Sequence, residues 1–484
     1  MPARTKRDTT LSSALCEKSE YGRTHDVTLR EIRTLEKPMT APDTLPANTE
    51  FPRQYLPADV DLGVWDNIAR FYDELEQRPL PDAAALEKWL LDWSELFSAV
   101  SEEFTRRHIR MTCHTDDEDL ERAYLDYLQT VMPKIETRNF ALSKRYLECP
   151  HRASLPRDRF EVFDRARANE VEIFREENVP LATRDEMLAQ RYQKICGEMT
   201  ALFRGQERTI PQLQKYLEEP DRDLRREAWM AAVRRQLQDR ETLESLFDEM
   251  IALRHQMAVN AGFPDFLSYQ FRRLGRFDYT PDDCVRLHDA IEKVVVPACR
   301  RLHERRRTSL GLDRLAPWDL NVDPDGLPPL RPFVNATQLI DGTARIFAAV
   351  DESFEPEFGI LSSRGLLDLD NRKGKAPGGY QSTLDEARLP FIFMNATGRN
   401  RDVFTLLHEG GHAFHALAAR QEPLLPYRSA PIEFCEVASM GMEMMACERL
   451  EAFYDPPSAR RARRQHLEEI IEICLLYTSP SPRD

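Results

Sequence analysis

Glycine is scarce in this 484-residue chain, at 18 residues, where an average composition would bring about twice as many. So low a count argues against turn-rich all-β architectures. Long apolar runs are missing too. No uncharged stretch approaches the roughly 18 residues that a membrane-spanning helix needs, so no membrane partner is expected. The nine cysteines are scattered, odd in number and contain no C-x-x-C pair. That is how a reducing compartment uses cysteine, and it speaks against a disulfide scaffold or a thiolate zinc site. An excess of positive charge is also absent, since 67 Lys+Arg against 82 Asp+Glu leave a net charge of −15. Nucleic acid, whose phosphates want a basic face, is therefore not an expected partner. Residues 1–37 mix eight basic with six acidic residues and hold no apolar segment. They read as neither a secretory signal nor an acid-poor transit peptide, and the expected compartment is the cytoplasm.

What is present is helix. Hydrophobic residues at 42% can build a large core, and charged residues at 31% can hydrate its surface. Residues 1–38 lack sustained periodicity and read as a disordered, non-native extension, with Met39 as the true start. Past prolines 42, 46, 52 and 57, apolar spacings of three and four predict a first helix near Trp65. The same spacing predicts helices over 84–111, 117–148, 184–203, 223–261 and 281–310. Trp89, Leu90, Trp93, Leu96, Phe97 and Val100 form one such stripe, which reads as core packing. A Pro/Asp/Gly cluster at 317–332 predicts a loop, and a short helix should follow over 338–350. Two strands, 379–383 and 390–395, precede helix from about Arg401. No internal repeat is found. The expectation is a mainly α protein with a small sheet. The basic runs at 304–307 and 460–464 read as solvated helix faces.

The chemistry concentrates in VFTLLHEGGHAFHALAA, residues 403–419, which contains His408, Glu409, Gly410, Gly411 and His412. Positions i and i+4 share a helix face, so both imidazoles can converge on one ion. Zinc suits imidazole nitrogen, and an open coordination position lets it acidify water. Glu409 stands about 100° round the helix from His408, where a general base for that water belongs. The adjacent glycines are unfavourable mid-helix, which suggests that something approaches the backbone closely there, although tight packing alone would also account for them. A third ligand should come from a following helix. IEFCEVASMGMEMMACERL, residues 432–450, offers Glu433, Glu436, Glu443 and Glu448. Glu436 lies 24 residues after His412, room for a turn and a return, and its neighbours are apolar. Glu443, seven residues on, could hold a ligating imidazole by a hydrogen bond or be a plain surface charge. His415 sits about 10 Å along the helix from His408, too far to share the ion, and reads as a supporting or core histidine.

HEGGHAFH followed by FCEVASMGMEM resembles the thimet oligopeptidase/oligoendopeptidase F family of zinc peptidases, closest to its oligoendopeptidase F branch. LRREAWMAAVRRQ (224–236), ALRHQMAVNAGFPDFLSYQF (252–271), PWDL (317–320) and RKGKAPGGYQ (372–381) follow the family's landmarks in order. The resemblance covers about residues 50–473. It implies a two-lobed helical, zincin-like fold, with an N-terminal lobe at 39–205 and a catalytic domain at 206–473. It implies one Zn²⁺ held by His408, His412 and Glu436, with Glu409 as general base. Gly378, Gly379 and Tyr380 fall where the family's sheet edge holds an extended peptide, although the same three residues could form an ordinary turn. The implied substrates are short oligopeptides.

The sequence departs from that family after the third ligand. Of the His and Tyr side chains that would stabilise the tetrahedral intermediate, only Tyr454, His466 and Tyr477 are available, and none sits in a family motif. Residues 474–484 read as a non-native tail, so the activity of this chain is expected to be impaired. Two functions compete. One is a zinc endopeptidase, with an exopeptidase as its near variant. The other is a non-catalytic helical protein that binds zinc or peptide.

Overall fold

A computed structural model describes residues 45–476. The expected extension at 1–38, most of the expected tail, and Tyr477 lie outside the described residues.

The N-terminal part is built from α1 (Trp65–Gln77), α2 (Ala83–Cys113), α3 (Glu118–Thr130), α4 (Met132–Glu148), α5 (Arg157–Ile173) and α6 (Asn178–Gly197). The stripe on α2 is core: Trp89, Leu90, Trp93, Leu96 and Val100 are buried against Tyr72, Tyr146 and Phe163. Asp82 caps α2 by accepting from the Ala85 amide at 2.8 Å, one of the donors that a helix start leaves unpaired. The helix expected over 117–148 is two helices. Pro133 lies in the first turn of the second, and a proline inside a continuous helix would lack a donor and clash with the preceding turn.

Helix was also expected through Phe203, but α6 ends at Gly197 and a hairpin follows, β1 (Thr200–Phe203) with β2 (Gln206–Thr209). Its turn holds Arg204 at φ 50° and Gly205 at φ 79°, the two positive values that match a hairpin's twist. The expected boundary at 205/206 falls where this turn meets β2.

Then come α7 (Ile210–Gln214), α8 (Arg222–Gln238), α9 (Arg240–Asn260), α10 (Phe266–Arg273) and α11 (Pro281–Ser309). The expected 223–261 helix breaks at Asp239. The C-terminal part continues with α12 (Ala336–Val350), α13 (Phe354–Ser363), β3 (Leu367–Asp370), β4 (Tyr380–Leu384), β5 (Leu389–Ala396), α14 (Asn400–Ala419), α15 (Ile432–Ala446) and α16 (Pro456–Leu476). The sheet order is β3-β5-β4, with β3 parallel and β4 antiparallel to β5. Central β5 is buried on both faces apart from Asn395, hence its unbroken apolar run. β3 was not foreseen, because LDLD is too short and too acidic to read as a strand.

A second core gathers β3, β5, α12, α13, α14 and α15. α2 reaches it as well, through Ile109 and Cys113, so one helix serves both cores. The basic runs are solvated in part, with Glu304, Arg305 and Arg460 exposed, while one arginine of each run is covered. The Arg306 side chain is 13% exposed beside Glu468, and that of Arg461 is 12% exposed with its Nε 3.2 Å from Asp323. These guanidiniums answer carboxylates of neighbouring segments as α11 packs on α16. Among the described residues, no helix is long and apolar enough to cross a membrane.

Candidate metal centre and its cleft

β5 leads directly into α14. The Asp402 carboxylate collects the amides of Thr397, Gly398 and Arg399 at 2.7, 2.9 and 2.9 Å. These hydrogen bonds fix the first turn of α14 against the end of the strand. Val403, Leu406, Leu407, Ala413 and Leu417 bury the inner face of the helix. The two mid-helix glycines have distinct neighbours. A Cβ at Gly410 would lie 2.5 Å from Phe347, and one at Gly411 would lie 2.7 Å from the Ala438 carbonyl oxygen and Ser439 Cα. Gly411 thus sets how closely α15 approaches α14.

That approach brings His408, His412 and Glu436 together, with one potential ligand atom from each inside a 4.8 Å group. His408 Nε2 lies 3.4 Å from Glu436 Oε2, and His412 Nε2 lies 3.9 Å from Glu436 Oε1. Tetrahedral zinc with bonds of about 2.0–2.2 Å places its ligand atoms about 3.3–3.6 Å apart. The donor set and its spacing therefore fit such an ion with small adjustment. Ser439 Oγ donates to Glu436 Oε2 at 2.9 Å, and Glu443 Oε1 stands 2.6 Å from His408 Nδ1. The latter contact leaves Nε2 of His408 facing the donor group, the orientation that a ligating imidazole needs.

Glu443 has a second neighbour, His466 on α16, whose Nε2 lies 3.1 Å from Oε2. The His466 ring is buried and stacks on Phe404 with centroids 3.7 Å apart. His466 was a candidate for stabilising the tetrahedral intermediate, but its contact with Glu443 and Phe404 had no sequence signal, because α16 meets α14 only through tertiary packing. Tyr454 is turned away, donating to Asn400 Oδ1 at 2.7 Å. His415 lines a cavity beside His412.

Electrostatics separate these groups. Burial is the main influence on Glu409, and with Glu436 nearby it lifts the carboxyl to about 7, against the pull of His408 and of a Gln381 main-chain hydrogen bond. Burial, then the neighbouring His408, holds His412 below the ordinary imidazole range. Burial also works against a charge on His408, but the hydrogen bond and charge of Glu443 outweigh it and raise that ring.

Two cavities flank the donor group. One of about 690 Å³ is lined by His408, Glu409 and Glu443 together with Gly378 and Gly379. The other, about 480 Å³, is lined by His412 and His415 with Gln381, Ser382 and Thr383. β4 is the outer strand of its sheet, so its edge runs from one cavity to the other past Glu409. The loop ahead of it is pinned by Lys375, fully buried, whose Nζ meets Asp368 Oδ1 at 2.9 Å and the Met394 carbonyl at 2.6 Å. Asn395 Nδ2 donates to the carbonyls of Ala376 and Gly378, each at 2.9 Å. Gly378 adopts φ 88°, which a side chain would resist. Of the Gly378–Gly379–Tyr380 trio, the glycines face the first cavity. The Tyr380 ring instead stacks on Phe393 at 4.7 Å and its hydroxyl pairs with Thr112 Oγ1 at 2.7 Å.

A helical scaffold presenting this donor group beside a sheet edge has clear relatives. The pattern described as Peptidase family M3 matches residues 215–475, and that of the Peptidase M3 N-terminal domain matches residues 63–174. The chain belongs to peptidase family M3. The chromosomal oligoendopeptidase F of Lactococcus lactis subsp. cremoris is 25% identical over 155 residues, which is 32% of this chain and 25% of that protein. Oligopeptidase PepF of Bacillus subtilis (strain 168) is 34% identical over 98 residues, 19% of this chain and 14% of the relative. The chain thus spans a quarter or less of the length of these curated relatives. An X-ray structure described as an oligoendopeptidase F superposes with a TM-score of 0.80 at 26% identity, covering 88% of this chain and 74% of that one. PZ peptidase A, solved with an inhibitor, gives 0.81 at 25% identity with the same coverages.

Proposed function

We propose that this protein is a zinc-dependent peptidase that hydrolyses bonds within short peptides laid along β4. The observation that carries this reading is the His408–His412–Glu436 group at the meeting of two cavities, with Glu409 beside it and a strand edge alongside. His408, His412 and Glu436 would hold the ion. A bound zinc supplies Lewis acidity, which polarises a carbonyl and acidifies water. The chain's own residues do the rest. The outer edge of β4 offers main-chain hydrogen bonds that read peptide backbone and tolerate varied side chains. Gly379, whose Cβ would come within 3.5 Å of Glu409 Oε1, leaves the scissile bond room beside the base. Glu409 takes a proton from the attacking water and passes it to the leaving amide nitrogen. Residues 206–473 form the catalytic part in this reading, and 39–205 the lobe that faces it across the cleft.

Glu409→Gln tests the mechanism. It should lower peptide cleavage by at least about 10²-fold while bound zinc stays stoichiometric. Cleavage that survives this change would sink the assignment of the base. A protein that binds zinc and peptide but never cleaves, in wild-type form, would instead be the non-catalytic binder.

A further inference from the structure

The second cavity holds chemistry that the function above leaves unused. Its walls carry Arg388, Arg420 and Arg428 with a single carboxylate, that of Asp385. Two of these cations are answered. Arg420 pairs with Glu50. Arg428 donates to the carbonyls of Asp385, Glu422 and Pro423 at 2.7, 2.8 and 3.1 Å, with the Asp385 charge close by. Arg388 is different. Its Nη1 donates to the Arg420 carbonyl at 2.7 Å and its guanidinium lies 4.1 Å over the Phe51 ring; like Arg428 it pairs with no carboxylate among the described residues, and it has one carbonyl acceptor where Arg428 has three. Its backbone sits at φ 54°, a left-handed conformation that few residues other than glycine adopt. At the turn joining β4 to β5, glycine or asparagine would sit more comfortably. Burial and then the neighbouring Arg420 depress this guanidinium, with the Glu422 charge acting the other way, so an arriving anion would add to a partial balance.

The position fits a substrate contact. A peptide extended along β4 advances about 3.3 Å per residue, and Arg388 lies at the turn just past Leu384. The chain of such a peptide would pass Glu409 near Gly379 and Gln381 and reach the turn about three residues later. We infer that Arg388 makes the second cavity a subsite for a carboxylate of the bound peptide. This rests on the peptide-cleft reading above and names a class of substrate for it. An acidic side chain and the peptide's own C-terminus present the same pair of oxygens, which a guanidinium fork engages with two parallel hydrogen bonds.

The test uses the full chain carrying Glu409→Gln, loaded with zinc, and fluorescence anisotropy of short labelled peptides. One series is C-terminally amidated and moves a single Glu along a neutral sequence. A second series has free C-termini, neutral side chains and varied length. The expected result is binding about tenfold tighter when a carboxylate occupies one register about three residues from the scissile centre. Gain in the amidated series assigns the subsite to acidic side chains, and gain confined to the free-acid series assigns it to the terminus. Arg388→Asn, a residue at ease with positive φ, should abolish the preference, and Arg388→Glu should transfer it to Lys. Equal binding of acidic and neutral peptides, or a preference that outlasts Arg388→Asn, overturns the inference alone. Failure of every peptide to bind removes the peptide-cleft reading as well, so the two failures are distinguishable.

Discussion

At His408, one imidazole nitrogen faces Glu436 and the other is held 2.6 Å from Glu443. Removing such a partner leaves the ring free to turn and less basic, which typically weakens metal binding about 10–100-fold. Glu443→Ala should do so for zinc, read by competition with a chromophoric chelator, whereas unchanged affinity would mean that the ring is oriented by packing alone. His466, against the far oxygen of Glu443, should show a smaller effect of the same sign. Asp385 permits a second prediction. Burial, opposed by a hydrogen bond from Ser101, raises its carboxyl to about 6. A folded pKa above the unfolded value of about 3.9 favours the protonated form in the fold. Its stabilising contribution is thus present below about pH 4 and lost as pH rises through about 6. Asp385→Asn keeps an acceptor for Ser101 and removes the buried charge. The variant should gain up to about 3 kcal/mol near neutral pH and almost nothing at about pH 4, measured by urea unfolding at both.

Between elements, the contact that assembles the centre is the close passage of α15 over Gly411. An added methyl there meets main-chain atoms at 2.7 Å, which cannot rotate aside as a long side chain would. Gly411→Ala should cost about 1–3 kcal/mol by overpacking and also weaken zinc binding, because Glu436 moves with α15. Gly359 in α13 is the control. A Cβ there meets nothing within 4 Å, so Gly359→Ala should be neutral or stabilising by up to about 1 kcal/mol. If both variants lose zinc equally, the spacing of α14 and α15 is not what assembles the site.

Across the whole molecule, the three donors come from two helices that only folding brings together, so an ion binding them binds the native state in preference to the unfolded chain. Zinc at about 100-fold over its dissociation constant adds about 2.7 kcal/mol. Calorimetry should show a melting temperature that falls by a few degrees on chelation and recovers with zinc. His412→Ala should be insensitive to either treatment. α2 adds a structural consequence, since it contributes Trp89 and Trp93 to one core and Ile109 and Cys113 to the other. A destabilised α2 should therefore loosen both.

Much of this protein was legible without coordinates wherever the information is local. Helical spacing at 84–111 anticipated α2 to within two residues at each end, because a long apolar stripe has a single period. His408, Glu409 and His412 could be chosen from one turn of one helix, because i and i+4 share a face whatever surrounds them. Glu436 was singled out by the family resemblance, because the length of chain needed to turn back leaves Glu433 and Glu443 open as well. Short elements escaped: the Arg204–Gly205 hairpin and β3 carry too few residues for a pattern, and their strands are held by partners rather than by propensity. The reason for Gly410 and Gly411, the stacking of His466 on Phe404, the surroundings of Arg388 and the course of β4 between two cavities all depend on atoms far apart in the chain. Sequence determined which residues can do chemistry, since that is written in side-chain type and helical period. Tertiary structure decided which of them meet, because only packing fixes distance, burial and the partner on the other side.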